Sequence, residues 1–352
     1  MKKKVAVAMS GGVDSSLCAA LLQEQGYEVL GITMQLSDDS REMNGVSSAA
    51  TDARRVADFL GIEHVVADFR TLFSDKVVDY FLTEYLTART PNPCVICNRF
   101  LKFGELLSFA KEKGADFLAT GHYVRLEKEE DGSFALKKGR DEKKDQSYVL
   151  YRLPREILSH ILFPLGSYRK EETRALAQKL SLPVANKAES QEICFVPEDD
   201  YKAYLSQHRP NRFHTGDIVD MQGQILGQHR GLPFYTIGQR KGLGIAAAHP
   251  LYVIALDEAN NRVIVGKNEE LYASSLFASD VNWLMEEPTQ EISVHAKIRY
   301  GSREVQANVL PLKDRAVKVS FLEPQRAVTP GQSVVFYSGE RLVGGATIES
   351  RT

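Results

Sequence analysis

The sequence predicts an α/β protein with an N-terminal doubly wound parallel sheet, a small central linker domain and a C-terminal β-barrel. Three observations predict it. Apolar runs of strand length alternate with amphipathic helical stretches through the first 120 residues, the pattern of βαβ units. At about Gln207 the composition shifts, and Phe213 to Ala248 is glycine-rich with little helix. From Leu251 onward, runs such as LYVIAL, RVIVG, SVHAKIRY, VQANVL, VKVSF and SVVFY alternate with turns, as in a closed or nearly closed barrel. The expected domains are 1–206, 207–272 and 273–352.

The first strand, Val5 to Ala8, ends in Met9-Ser10-Gly11-Gly12-Val13-Asp14-Ser15-Ser16, and a helix follows with Leu17, Ala20, Leu21 and Leu22 on its apolar face. Gly11 and Gly12 permit backbone conformations closed to other residues. The serines add hydroxyl donors, and a helix N-terminus adds N–H groups and positive dipole charge. This suits a phosphate. No lysine completes a Walker loop, and G-x-G-x-x-G is absent. Glu28 to Met34 is a second strand, with Met34 at the carboxyl edge of the sheet, where it is either core or ligand contact. Ser37 to Ser48 is a polar connection. Ala49 to Leu60 is helical, His64 to Ala67 a third strand and Leu72 to Leu86 another helix.

Next comes Thr90-Pro91-Asn92-Pro93-Cys94-Val95-Ile96-Cys97-Asn98. Its two prolines argue against a regular helix and for a loop projecting from the sheet edge. Cys-x-x-Cys alone is a redox pair, half a metal site, or a catalytic thiol and its neighbour. Asp116 to Thr120 is a strand ending at Gly121-His122-Tyr123; Gly121 leaves room for a nucleotide, and His122 is a proton donor, an RNA contact or a hydrogen-bonded strand-end residue. Lys143 to Tyr148 mixes basic, amide and aromatic groups. Helices are expected after Pro154 and after Arg169. Cys194, among Ile193, Phe195 and Val196, reads by itself as a buried small hydrophobe, a description Cys18 fits better.

A chain of 352 residues with 43% hydrophobic content holds two or three packed domains. The net charge of −2 announces no global affinity for nucleic acid, so an RNA footprint must be local. Candidates for it are Arg99, Lys102, Lys143, Lys144, Arg169, Lys170, Lys187, Arg240 and Lys241. No apolar run reaches membrane-spanning length, MKKKVAVAMS leads into a core strand, and four cysteines are too few for a disulfide framework; the expected compartment is the cytoplasm.

The loop SGGVDSS at 10–16 resembles the PP-loop of ATP pyrophosphatases, which cleave ATP between the α- and β-phosphates; there Asp14 would help place magnesium. With PNPCVICNRFLKF at 91–103, TGHY at 120–123, KDQSYVLY at 144–151, PLGSYRKEETR at 164–174, ESQEICFVP at 189–197 and GQRKGLG at 238–244, the chain resembles the tRNA-specific 2-thiouridylases, the MnmA family. The resemblance implies that Ala8, Met9, Ser10, Gly11, Gly12, Val13, Asp14 and Ser15, with Met34 and Gly121, bind ATP. It implies that Cys194 carries a persulfide sulfur, that Cys97 is its partner nucleophile, and that Asn92, Pro93 and Cys94 border the wobble uridine. His122, Lys144, Asp145, Gln146, Arg299, Tyr300 and Gln332 would contact tRNA. The implied partners are tRNA and a persulfide donor such as a cysteine desulfurase or relay protein.

One departure matters: the family pattern has Asp where this chain has Cys94. Cys94, Cys97 and Cys194 could then ligate an iron–sulfur cluster, as in some related thiolation enzymes. Two other readings stand beside thiolation: a PP-loop ligase adenylating a small-molecule acceptor, and a non-enzymatic RNA-binding module with a nucleotide site.

Overall fold

The structure is a computed structural model and describes residues 2–37, 48–188 and 193–352. Most of the polar connection expected at Ser37 to Ser48 lies outside the described residues. The chain divides into two compact units, the first comprising Met1–Val77, Cys94–Gln191 and Gly339–Val343, the second Val78–Pro93, Glu192–Ser338 and Gly344–Thr352.

The first unit is built on a parallel sheet of β1 (Lys4–Ala8), β2 (Glu28–Gln35), β3 (Glu63–Asp68), β4 (Phe117–Ala119) and β7 (Ile161–Leu162), in the order β3-β2-β1-β4-β7. β1 is flanked by β2 on one side and β4 on the other, with Val7 opposite both Gly31 and Ala119. The strand order reverses at β1, so the turns after β1 and β4 meet at the carboxyl edge, the ligand position of such sheets. Helices α1 (Val13–Glu24) and α2 (Ser48–Leu60) pack through Cys18, Ala19, Leu22, Ala53 and Val56 onto Val5, Val7 and Val29. A second cluster joins Leu17, Ala20 and Leu21 to Tyr123, Leu165, Ala177 and Leu182. β1 and β2 are buried through their middles, so they read as unbroken apolar runs.

Several local expectations are corrected. Leu72 to Leu86 is not one regular helix: an α-turn at Arg70–Phe73 and a π-helical turn at Ser74–Val78 precede the α-helix Asp79–Leu86. The prolines near Cys94 do not exclude a helix. One begins at Pro93, where a proline lacks only an N–H that a first turn leaves unused, and runs to Ile96 before a π-helical stretch, Cys97–Glu105. Helices follow Pro154 and Arg169 as expected, the first 3-10 (Arg155–His160) and the second α (Lys170–Lys179). The hairpin of β5 (Val124–Lys128) and β6 (Phe134–Lys138) was not anticipated, although Asp131-Gly132 marks its turn; Ser133 N–H donates to Asp131 Oδ1 at 2.8 Å and Gly132 has φ +83°.

The second unit holds two β-layers. β8 (Gly216–Val219), β9 (Ile225–His229), β10 (Tyr252–Asp257) and β11 (Arg262–Gly266) form a four-stranded sheet in the order β10-β11-β8-β9. Then β12 (Tyr272–Trp283), β13 (Ile292–Lys297), β14 (Val305–Pro311), β15 (Val317–Arg326), β16 (Ser333–Ser338) and β17 (Arg341–Arg351) follow the order β12-β15-β14-β13-β16-β17, and β17 returns to β12. That closure makes a barrel of six strands. Along β14 the burial alternates, Val305, Ala307 and Val309 facing in. Among the described residues no helix is long and apolar enough to cross a membrane.

Candidate active site

The loop between β1 and α1 is a self-bonded cradle. Ser10 N–H donates to Ser15 Oγ at 3.1 Å, and the Ser15 and Ser16 hydroxyls donate to the Gly12 carbonyl at 3.2 and 2.8 Å. No side chain caps α1 at Gly12, so its first-turn N–H groups face the loop mouth without a side-chain acceptor. Gly11 has φ +68°, and a Cβ there would stand 2.5 Å from the Ala49 carbonyl oxygen. Gly121 comes against the same turn from β4: a Cβ would lie 3.0 Å from Asp14 C and Ser15 N. Its missing side chain admits the start of α1. Met9 is buried and Met34 half-buried at the end of β2.

Asp14 is held from two sides. Lys170 Nζ donates to both carboxylate oxygens at 2.7 Å, and the Tyr123 hydroxyl donates to Oδ1 at 2.8 Å. Lys170 also lies over the Tyr123 ring, 5.6 Å from its centre. Lys187 Nζ donates to Asp52 Oδ2 at 2.7 Å and to the Gly11 carbonyl at 3.2 Å. Two lysines expected on a basic face are therefore built into the cradle. Sequence reading missed the Lys170–Asp14 pair because 156 residues separate the partners.

The Cys-x-x-Cys motif rides the helical segment after Pro93. Cys94 is exposed and Cys97 buried. Burial pushes the Cys97 thiol up; Lys102 pulls it down and Cys94 pushes it up, and burial prevails. Lys102 follows Cys97 by five residues within the π-helical stretch, and its charge acts on the thiol. Asn98, also missed, is buried; its Nδ2 donates to the Val149 carbonyl at 3.2 Å, and its Oδ1 has no partner among the described residues. His122 is buried between Phe103 and Phe163, ring centres 5.9 and 6.2 Å away, with Nδ1 2.7 Å from Thr120 Oγ1. Burial, then Lys102, holds it well below the ordinary histidine range, so it is neutral at pH 7.

In the second unit Cys194 is exposed, not buried. Its neighbours are the anchors: Val196 is in a core cluster with Phe81, Leu82 and Tyr85, and Ile193 and Phe195 pack against it. Phe195 lies edge-on to Phe81 and Tyr204, centres 5.2 and 5.5 Å apart. The apolar company that suggested burial of the thiol instead fixes a turn that presents it. Glu189, Ser190, Gln191 and Glu192, which complete its motif, lie outside the described residues.

Three family models together span nearly the whole chain. Residues 3–198 match the tRNA methyl transferase HUP domain, 202–267 the tRNA methyl transferase PRC-barrel domain, and 273–348 the aminomethyltransferase β-barrel domain. The chain is 52% identical to a tRNA-specific 2-thiouridylase of Caldanaerobacter subterraneus subsp. tengcongensis, over 100% of this chain and 99% of that one. It is 51% identical to the 2-thiouridylase of Carboxydothermus hydrogenoformans, over 99% and 98%. The chain belongs to the tRNA-specific 2-thiouridylase family.

In this 2-thiouridylase the expected RNA contacts are largely engaged with the chain itself. Asp145 accepts from the Gly139 and Ser147 N–H groups at 3.0 and 3.1 Å and from the Ser147 hydroxyl at 2.7 Å. Gln146 Oε1 accepts from Tyr123 N–H at 2.9 Å, and the neighbouring Lys144 is half-buried. Arg299 Nη2 donates to the Arg326 and Ala327 carbonyls. Gln332 Nε2 donates to the Thr90 and Pro91 carbonyls at 3.0 and 3.1 Å. Tyr300 is exposed with Lys297 5.8 Å from its ring centre. Asn92 is half-buried and Pro93 buried. Lys143, Arg169, Arg240 and Lys241 are exposed, Arg99 and Lys102 half-buried. Among the described residues no three His, Cys, Asp or Glu side chains gather as metal ligands.

Proposed function

We propose that this protein is a tRNA-uridine 2-sulfurtransferase that uses ATP to replace the C2 oxygen of the wobble uridine with sulfur. The observation that carries it is identity of about half, end to end, with proteins named tRNA-specific 2-thiouridylase. The assembled Gly–Ser cradle supports the ATP step. The C2 oxygen attacks the α-phosphate, pyrophosphate leaves, and the oxygen becomes part of an adenylate whose departure as AMP is easy. Loop and helix N–H groups stabilise the phosphates. Gly121, Met34 and residues 8–15 form the nucleotide's surroundings.

A persulfide on Cys194, loaded by an external donor, supplies the sulfur. Its terminal sulfur displaces AMP at C2 and Cys97 then attacks Cys194 Sγ to free the thiouridine, or Cys97 attacks Cys194 Sγ first and releases sulfide to displace AMP; either route leaves a Cys97–Cys194 disulfide that a cellular dithiol must reduce. The exposure of Cys194 suits loading by a partner protein. Cys97, buried and largely protonated at rest, serves in either route only after its segment opens. Asp14 is already neutralised by Lys170, so the charge facing the phosphates comes from the lysine in this reading and no step runs through a magnesium on Asp14. No step runs through an iron–sulfur cluster. In this reading the catalytic, linker and barrel domains are 1–206, 207–272 and 273–352, and the enzyme works in the cytoplasm. The small-molecule ligase reading leaves the barrel and Cys194 without a use.

The test is mass analysis of tRNA nucleosides after incubation with protein, ATP, magnesium and a persulfide source. We expect 2-thiouridine at the wobble position, and a Cys194→Ser variant that releases pyrophosphate with tRNA yet forms none. Pyrophosphate release with a small acceptor and no tRNA would overturn the reading.

A further inference from the structure

We propose that Arg89 and Gln332 are positioning residues that clamp the chain before Cys94 to the β-barrel, a restraint on that chain that sulfur transfer requires. The inference rests on the thiolation reading for its consequence, but the clamp is visible without it. Helix Asp79–Leu86 ends in a Schellman-type turn, Arg89 N–H donating to the Glu84 carbonyl at 2.9 Å, with Ala88 at φ +56°. From that turn Arg89 forks outward. Its Nη1 and Nη2 donate to the Glu349 carboxylate at 2.6 and 3.3 Å, and its Nε donates to Glu84 at 2.9 Å. Glu349 belongs to β17, and Ser279 of β12 donates to the same carboxylate.

The next residues are gripped by backbone and amide. Thr90 N–H donates to the Pro330 carbonyl at 2.9 Å, and Gln332 Nε2 donates to the carbonyls of Thr90 and Pro91. The approach is close enough that Gly331, at φ +87°, has no room for a Cβ: it would lie 2.9 Å from both Thr90 N and Thr90 O. The three residues after Pro91 are Asn92, Pro93 and Cys94, so the chain leaves the barrel fixed immediately before its first thiol. The same helix carries Phe81 and Tyr85, on which the Cys194 turn is anchored. One helix therefore anchors the turn bearing Cys194, and the chain that leaves it is held on the barrel as far as Pro91. An Arg–carboxylate fork fixes angle as well as distance, which a lysine does not. The Gln332 amide nitrogen donates to two successive carbonyls of the irregular chain before the thiols, a structural engagement distinct from the tRNA contact expected of it.

The experiment compares Arg89→Met, Arg89→Lys and Gln332→Leu with the unaltered protein. Three readouts are taken: the iodoacetamide alkylation rate at Cys94 by peptide mass spectrometry, the kcat and KM of thiolation, and the thermal midpoint. We expect Cys94 alkylation to rise at least threefold in Arg89→Met and Gln332→Leu, and thiolation kcat to fall about tenfold with KM for tRNA within twofold. Arg89→Lys should fall between. The thermal midpoints should leave all variants folded at the assay temperature. Unchanged alkylation in both variants overturns the clamp, as does a loss in KM alone for Gln332→Leu, which would mark direct RNA contact. A loss of activity in proportion to unfolded protein also overturns it. Failure of the unaltered protein to thiolate tRNA overturns the functional reading instead, and the alkylation arm still decides the clamp.

Discussion

Lys170 Nζ lies 2.7 Å from both carboxylate oxygens of Asp14, joining the helix Lys170–Lys179 to the first turn of α1. The side chains are 11% and 26% exposed, so removing one partner leaves a poorly hydrated charge. Lys170→Met should cost about 3 kcal/mol of stability. It should also weaken ATP binding at least tenfold, because the cation facing the triphosphate is lost. The double variant Asp14→Asn/Lys170→Met should recover stability but not ATP affinity. Urea unfolding and calorimetric titration with ATP check this; a Lys170→Met protein that binds ATP normally contradicts the role.

The Cys97 thiol is raised by burial against the pull of Lys102. Alkylation at Cys97 should therefore climb with pH by close to tenfold per unit from pH 7 to 8.5, without the plateau of an activated thiol. Lys102→Met removes the lowering influence, so its rate at a fixed pH should drop severalfold. Cys18, fully buried and pushed further up by burial and then by Asp14, is the unreactive control. Peptide mass spectrometry of timed samples reads all three. A plateau below pH 7 in the resting protein would refute the assignment.

Local signals in the sequence carried the sheet and the cradle. The apolar runs of β1 and β2, the Gly–Ser turn and the amphipathic α2 each fix structure within a dozen residues. The long-range chemistry was not legible. Lys170 reads as one basic residue among many until the fold brings it to Asp14, and Arg89 gives no hint of a partner 260 residues away. Cys194 was misread because apolar neighbours signal burial of a segment without saying which residue points out. The prolines at 91 and 93 were overweighted, since a proline at a helix start is compatible with the helix that follows.

Gly11 and Gly26 offer a matched pair for the cradle. Both have positive φ, but a Cβ on Gly11 meets the Ala49 carbonyl oxygen at 2.5 Å, whereas nothing lies within 4 Å of one on Gly26. Gly26→Ala should cost roughly 1 kcal/mol of backbone strain and leave ATP affinity unchanged. Gly11→Ala adds a clash that forces the loop away from α2, and ATP affinity should fall more than tenfold. Equal ATP affinity in the two variants would mean that the conformation around Gly11 does not define the phosphate site.

His122 gives the fold an acid limb. Its folded pKa is depressed by burial and then by Lys102, while the unfolded chain binds a proton near pH 6.5. The unfolded state therefore takes up more protons as pH falls below 6.5, and stability drops in that direction by roughly 1 kcal/mol per pH unit. Above pH 6.5 both states are neutral at this site and its contribution is full. His64 is lowered as well, chiefly by burial, and adds a smaller slope of the same sign. In His122→Gln, which keeps a side chain able to bond Thr120, unfolding free energies at pH 7.5 and 5.5 should differ less than in the parent by about 1 kcal/mol. Parallel pH profiles for the two proteins would place the acid sensitivity elsewhere and leave His122 open to protonation, and so to contact with a phosphate.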